Sequence, residues 1–407
     1  MDESLLVDLE KLNPKLADDI RAIARCEKEF DGFSVELVHQ GKQNGFVCQV
    51  VPYLLIILEH EHRQQTKSNF EQLVYLALGG GDYYLPYGYD IKLAKQQLDL
   101  MRKNPPPPNP RILGDLPPSW KIAKYSAEVT SYEAVEKGVP LFVRLLDCIS
   151  LRDKIGCVYL LAWFPYHSSI ILPKIREIIN WTKPLNQVEL LLKASCILTL
   201  GQIGGFNQDL TDISLLKEIF NNNSERIIQI TAAIGLTLLQ RENSPIEFIE
   251  FLIENLETTQ ESWELNWSEE SLPSYIFIVL SLIGSKVIKY FDSFCRVLEK
   301  SNPFNSCTLI NYIFLIAFPK PYQKGEKLNE IQKKALISYI SMNNNEKYSF
   351  LRRFENANNL LVLHNFGIPV NKTEWDTFLV ENNLPPIVET AEEIAGKKKK
   401  KSRKKKE

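Results

Sequence analysis

A chain of 407 residues is long enough for two or three ordinary domains or one elongated array. Its hydrophobic share of 44% supplies a core, and a charged share of 24% is ordinary for a globular protein. The formal net charge of -2 hides an asymmetry: the end, KKKKKSRKKKE, holds nine of the 48 Lys+Arg, so the rest carries 39 basic and 49 acidic residues, a net of -10. An acidic body argues against a general nucleic-acid binder, because phosphate contacts need clustered Lys and Arg.

Residues 1–30 read as an amphipathic helix pair broken at Asn13-Pro14. The start, MDESLLVDLEKLNPKL, is acidic and has no apolar signal core. Next comes GFVCQVVPYLLIILEHEH, an apolar helix with Pro52 inside it, then a helix over Lys67–Leu78. Gly79-Gly80-Gly81 ends that helix, since Gly takes the left-handed cap at little steric cost. Residues 79–130 interrupt the pattern with GGGDYYLPYGYD, a short helix over Ile91–Arg102, and NPPPPNPRILGDLPPSW. Pro105 to Pro108 are expected to be extended polyproline II. Whether this stretch is a linker or a surface excursion stays open.

From Tyr132 helices alternate steadily: 131–148, 152–164, 169–181, 186–203, 212–221, 224–240 and 245–257. Pro165, Pro184, Gly204-Gly205 and Asn221-Asn222-Asn223 punctuate them. An acidic loop, ETTQESWELNWSEESLP over 257–273, then carries Trp263 and Trp267. Helices resume at 272–285, 286–300, 305–318, 327–342, 346–366 and 373–382. The final residues, 383–407, are expected to be disordered, since a block of like charges repels itself and buries nothing.

Within the middle of the chain a pattern recurs at a step of 38 residues. Gly156, Ala194 and Ala232 share one position. Val158, Cys196 and Ile234 share a second, Leu160, Leu198 and Leu236 a third, and Ala162, Leu200 and Leu238 a fourth. The second helix of each unit keeps the step through Leu172, Leu210 and Phe248, and through Ile175, Ile213 and Phe251. Such columns mark stacked helical units. Val51-Pro52 and Val74-Tyr75-Leu76-Ala77 echo Val139-Pro140 and Val158-Tyr159-Leu160, which extends the array toward the N-terminus. The organisation expected is diverged repeats over 1–78, the insertion 79–130, regular repeats over 131–257, diverged repeats over 258–382 and the tail 383–407.

A small-residue helix of the form A-x-x-x-L-x-x-L-G, followed by a shorter helix and repeated near forty residues, resembles a HEAT repeat. The nearest copy runs from Lys193 to Gly204; the copy before it, DKIGCVYLLAWFP, replaces the closing Gly with Trp163-Phe164-Pro165. The resemblance covers 130–257 clearly and the rest of 35–380 weakly. It implies an all-α fold, a right-handed α-solenoid of stacked antiparallel helix pairs, and a scaffold that binds protein. That functional implication is analogy from fold. Some HEAT-like proteins are enzymes, among them certain DNA glycosylases and bilin lyases. A glycosylase groove would draw on Trp163 and Trp181, but the acidic body argues against it.

His60 and His62 lie two apart, so one helix cannot aim both at one ion, and no metal is expected. Gly79-Gly80-Gly81-Asp82 lacks the Lys-Ser/Thr and preceding strand of a phosphate loop. No Gly-x-Ser-x-Gly occurs. Cys157 and His167 are near in sequence, but Cys157 sits among packing columns and reads as a core thiol. The seven cysteines Cys26, Cys48, Cys148, Cys157, Cys196, Cys295 and Cys307 form no Cys-x-x-Cys and read as a reduced, intracellular set. No apolar run is expected to reach the roughly 20 residues that cross a bilayer, so no membrane contact is expected.

The expectation is therefore a non-enzymatic scaffold without cofactor. Tyr83, Tyr84, Tyr87, Tyr89, Trp263 and Trp267 are candidate partner anchors, since loop aromatics often carry binding, although they also suit shielding of the array's ends. Lys397, Lys398, Lys399, Lys400, Lys401, Arg403, Lys404, Lys405 and Lys406 form a candidate localisation or weak nucleic-acid tail. A cytoplasmic location is expected, or a nuclear one in a nucleated cell. The alternatives are a nucleic-acid-associated factor using the tail and, third, an enzyme on a HEAT-like frame.

Overall fold

The computed structural model describes residues 10–11, 13–28, 30, 38–39, 42–43, 46–79, 89–105, 118–258, 272–301, 306–344 and 362–386. Apart from one two-residue antiparallel ladder, β1 (Val38–His39) with β2 (Lys42–Gln43), the regular structure described is helical. The chain divides into two compact units, one through Arg241 and one from Glu242 onward. The division falls inside the 131–257 array rather than at its end.

In the first unit the helices are α1 (Pro14–Ala24), α2 (Val47–His60), α3 (Lys67–Leu78), α4 (Ile91–Lys103), α5 (Pro118–Glu136), α6 (Val139–Leu145), α7 (Leu151–Leu161), α8 (Ser168–Trp181), α9 (Gln187–Asn207), α10 (Ile213–Asn222) and α11 (Arg226–Gln240). Side-chain caps start several of them: Thr66 accepts from the Asn69 amide, Ser150 from Asp153 and Asn186 from Glu189. Helices α3, α7, α9 and α11 pack in that order as one row, and α6, α8 and α10 lie against it. All four repeat columns of α7, α9 and α11 are buried, and all but Gly156 are wholly apolar side chains without solvent contact. Burying each Val, Leu or Ile there contributes about 1.5–3 kcal/mol.

Polar side chains tie α9 to α7 and α7 to α3. Thr199 Oγ1 donates to the Val158 carbonyl at 3.2 Å, Gln202 Nε2 to Ala162 at 3.1 Å and Asn207 Nδ2 to Pro165 at 2.9 Å. Asp153 Oδ1 accepts from the Lys67 amide at 3.0 Å, which caps α3 from α7. In the outer layer Arg176 of α8 grips Asp212, just before α10, with two bonds of 2.7 and 2.8 Å. These bonds satisfy helix-end groups that burial would otherwise strand.

Several boundaries differ from those read in the sequence. The expected helix 131–148 is two elements: α5 ends at Glu136, and Pro140 sits in the first turn of α6, where its missing N–H costs nothing. Helix α5 begins at Pro118, so much of the 79–130 stretch is helix, and α4 packs on α5. Gly204 and Gly205 do not stop α9, which runs to Asn207 and closes on Gln208 in the left-handed conformation. A Cβ on Gly204 would meet the tip of the Leu239 side chain of α11 at 2.6 Å. Leu210, placed in a packing column with Leu172, is 55% exposed because it lies in the turn before α10. The ladder β1–β2, which rests on α5, is not signalled by the sequence pattern.

Helix α9 is longer and more apolar than the expectation of no membrane-length apolar run. It is 21 residues long and apolar enough to span a bilayer, but 78% of its apolar window is buried within the protein, as in a core helix.

The second unit holds α12 (Ile246–Thr258), α13 (Leu272–Ser281), a 3-10 turn Gly284–Tyr290, α14 (Phe291–Lys300), α15 (Cys307–Ala317), α16 (Glu330–Asn343) and α17 (Lys372–Glu381). It too is layered: α12, α14 and α16 pack in series, and α13 packs on α15. Its far end is closed by an aromatic cluster in which Phe314 stacks on Phe318, and Trp375 meets Tyr339 and Phe378.

Candidate functional site

The array departs from its own repeat at Trp163–His167, and the side chains of greatest chemical interest gather there. Where the next copy continues as helix, Pro165–His167 forms a 3-10 turn. That turn and the residues just before it receive groups from α4 with its cap, from α5 and from α9. Tyr132 of α5 donates its hydroxyl to the Trp163 carbonyl at 2.7 Å and packs against Phe164 at 5.0 Å between centroids. Tyr89 covers the other side of Tyr132 at 4.9 Å. Tyr166 meets Phe206 of α9 edge-on at 5.2 Å. Asp90 caps α4 by accepting from Leu93 at 3.0 Å, and the same oxygen accepts from the Tyr166 hydroxyl at 2.8 Å. Lys92 lies 4.0 Å over the Tyr166 ring. The insertion is thus pinned to the array by one carboxylate that serves both cap and phenol.

Beside this cluster Glu133, Glu136, Lys137 and His167 line an open depression of about 340 Å³. His167 Nε2 lies 3.2 Å from Glu136 Oε1, and Lys95 of α4 pairs with Glu133. Burial raises the Tyr89 and Tyr132 phenols well above their ordinary range. Burial, with the Asp90 bond second, pushes Tyr166 up to about 12. Buried phenols of this kind stay protonated and act as donors and packing surface, not as phenolate nucleophiles. Glu128 is raised by burial, with Lys124 opposing. The arrangement suits holding α4 and α5 against the turn and offering an aromatic floor with a charged rim.

Of the sequence-derived anchors, Tyr89 is half-buried in this cluster. Tyr83, Tyr84 and Tyr87, Trp263 and Trp267, and the tail lysines and Arg403 lie outside the described residues. Cys157 and His167 do not meet: the Cys157 thiol donates to the Phe142 carbonyl at 3.4 Å, while His167 pairs with Glu136. Burial pushes the thiols of Cys157 and Cys196 far up. His60 ends α2, whereas the His62 ring meets Gln65 at 3.2 Å. Among the described residues no three His, Cys, Asp or Glu side chains converge as a metal set. Trp163 is wholly buried, with its indole N–H unpaired, while Trp181 is 43% exposed.

The residues of this cluster are individually visible in the sequence, and Trp163-Phe164-Pro165 stands out there as a break in the repeat. Nothing local linked them to Tyr89, Asp90 or Glu136. Set against known proteins, the chain matches no family model, no curated protein and no solved structure, so its function is read from its own geometry.

Proposed function

We propose that this protein is a non-enzymatic HEAT-like α-solenoid scaffold, right-handed and built from antiparallel helix pairs, that binds a protein partner. The observation that supports it most is the α3–α7–α9–α11 row. Its repeat columns are consumed by packing, and the buried Thr199 and Gln202 side chains bond from one helix to the next. What such a row leaves for recognition is its turns and loops, where the unpacked aromatic and charged side chains sit. The test is affinity capture of the full chain from cells that express it, followed by reconstitution of any stoichiometric partner from purified components. Trp263→Ala/Trp267→Ala and Tyr83→Ala/Tyr84→Ala/Tyr87→Ala then ask which loop it uses. Failure of every captured protein to rebind in pure form would sink the scaffold reading.

A second reading has the tail recruiting nucleic acid, favoured by its nine basic residues. Deleting 397–407 and following RNA or DNA binding against salt separates the two. The tail reading requires weaker binding and a shallower salt slope in the deletion. We place the protein in the cytoplasm, or in the nucleus if residues 390–407 fused to a reporter accumulate there.

A further inference from the structure

One edge of the first unit is unlike the rest of the acidic body. It is made by the first turn of α7, the end of α8 and the second turn of α9. Trp181, the last residue of α8, is 43% exposed, and the Lys154 ammonium lies 5.4 Å over its ring. Lys154 itself is only 9% exposed, so its stem is packed and its ammonium is held beside the indole. Lys193 reaches the same place from α9 and donates to the Thr182 carbonyl at 3.3 Å. Burial pulls the Lys193 pKa down, so its cation is poorly solvated. Lys183, exposed, follows Thr182 directly, and Leu185 two residues on is 85% exposed.

None of these three lysines forms an ion pair with a described residue. Neighbouring cations do: Lys174 bridges Asp147 and Glu177, and Arg176 holds Asp212. The carboxylates closest in sequence are already engaged. Asp153 accepts from the Lys67 amide and from Ser150, and Glu189 accepts from the Leu185 amide. An exposed indole and an exposed Leu thus sit among three cations that lack anions.

We propose that the edge formed by Lys154, Trp181, Lys183 and Lys193 is a docking site for an acidic peptide segment of a partner protein. Carboxylates of the segment pair with the lysines, and an apolar side chain covers Trp181 and Leu185. The proposal rests on the scaffold reading above and names the chemistry of the partner. A desolvated ammonium beside an aromatic face gains more from a carboxylate than a fully solvated one does. A nucleic acid fits less well, because three cations on an acidic body cannot track a phosphate backbone.

The test uses the full chain and a short poly-glutamate peptide carrying one photo-reactive benzophenone, with adducts mapped by mass spectrometry. Adducts are expected within 150–196 and also on the basic tail, which serves as an internal standard for the probe. K154M and K193M keep the packed stems and each lower the 150–196 yield about ten-fold, the loss expected for one charge-assisted hydrogen bond. K154R retains it, W181A lowers it, and tail adducts stay constant in every variant. Circular dichroism of each variant checks that it folds. Adducts confined to the tail would overturn the site. So would 150–196 adducts indifferent to K154M/K193M, or an equally charged oligonucleotide labelling the edge in place of the peptide. A reconstituted partner that binds K154M/K193M as tightly as the native chain removes this site and leaves the scaffold standing. Edge adducts without any partner support the site and count against the scaffold.

Discussion

Gly201 of α9 and Gly235 of α11 mark a close backbone approach in the helix row, and they are not equivalent. A Cβ on Gly201 would stand 2.4 Å from the Gly235 Cα and 3.3 Å from its carbonyl carbon and oxygen. Backbone cannot rotate out of the way, so Gly201→Ala must push the helices apart by about 1 Å to restore ordinary contact. A gap of that size forfeits roughly a quarter to a half of each dispersion contact it opens. Ile197, Leu198, Ile230 and Ile234, all fully buried on these two helices, are exposed to that loss. Overpacking costs about 1–3 kcal/mol, and backbone against backbone belongs at the top of the range. The better helix propensity of alanine returns about 1 kcal/mol, leaving about 2 kcal/mol. In a unit of this size that lowers Tm by roughly 4–8 °C. Gly235→Ala meets Leu216 Cδ1 at 3.0 Å and the Gly201 Cα only at 3.7 Å. A side-chain tip can yield, so this variant should stay within about 1 kcal/mol of the native chain. Urea titration by far-UV circular dichroism and thermal melts measure both. Equal costs for the two alanines, or a Gly201→Ala as stable as the native chain, would refute the reasoning.

Other substitutions probe the polar ties and the buried groups. Gln202→Leu removes the donor to the Ala162 carbonyl at the end of α7 and should cost about 1–3 kcal/mol. Thr199→Val should cost less, since the Val158 carbonyl it serves also accepts from the Ala162 amide; urea midpoints compare the two. Arg176→Met strands the Asp212 carboxylate, whose side chain is 7% exposed, at a cost of about 3 kcal/mol, and Asp212→Asn added to it should recover part; a double-mutant cycle reads this. In native alkylation, exposed Cys26 and Cys148 should react while Cys157 and Cys196 wait for unfolding, and Cys157 labelling as fast as Cys148 would contradict the packing. Glu128 has a folded pKa raised by burial, so the penalty on its charged form is full at neutral pH and fades as pH falls through that value. Glu128→Gln should therefore melt higher than the native chain at pH 7, with the difference shrinking toward about pH 4; a difference that grows on acidification would reverse the assignment.

The columns Gly156/Ala194/Ala232 and Leu160/Leu198/Leu236 were legible because each unit solves the same packing problem at the same step, and burial confirms them residue by residue. Helix ends were less legible. Pro118 and Gly204-Gly205 look like breakers in one dimension. Yet Pro is tolerated where a helix begins, and α9 runs through Gly204-Gly205 to Asn207 with both glycines buried. The candidate site was half-visible: Trp163-Phe164-Pro165 stood out as a break, but its partners Asp90 and Tyr89 lie over 70 residues away and carry no periodicity.

Sequence alone determined the helical class and the apolar columns, since side-chain size and a 3.6-residue turn act locally along the chain. Only the tertiary structure decided which columns face which, that Asp90 both caps α4 and holds Tyr166, and that Lys154, Trp181 and Lys193 share one edge. Those juxtapositions depend on how closely neighbouring helices approach, set by small residues such as Gly201 on one helix and Gly235 on the next. No single stretch of sequence contains both halves of such a contact.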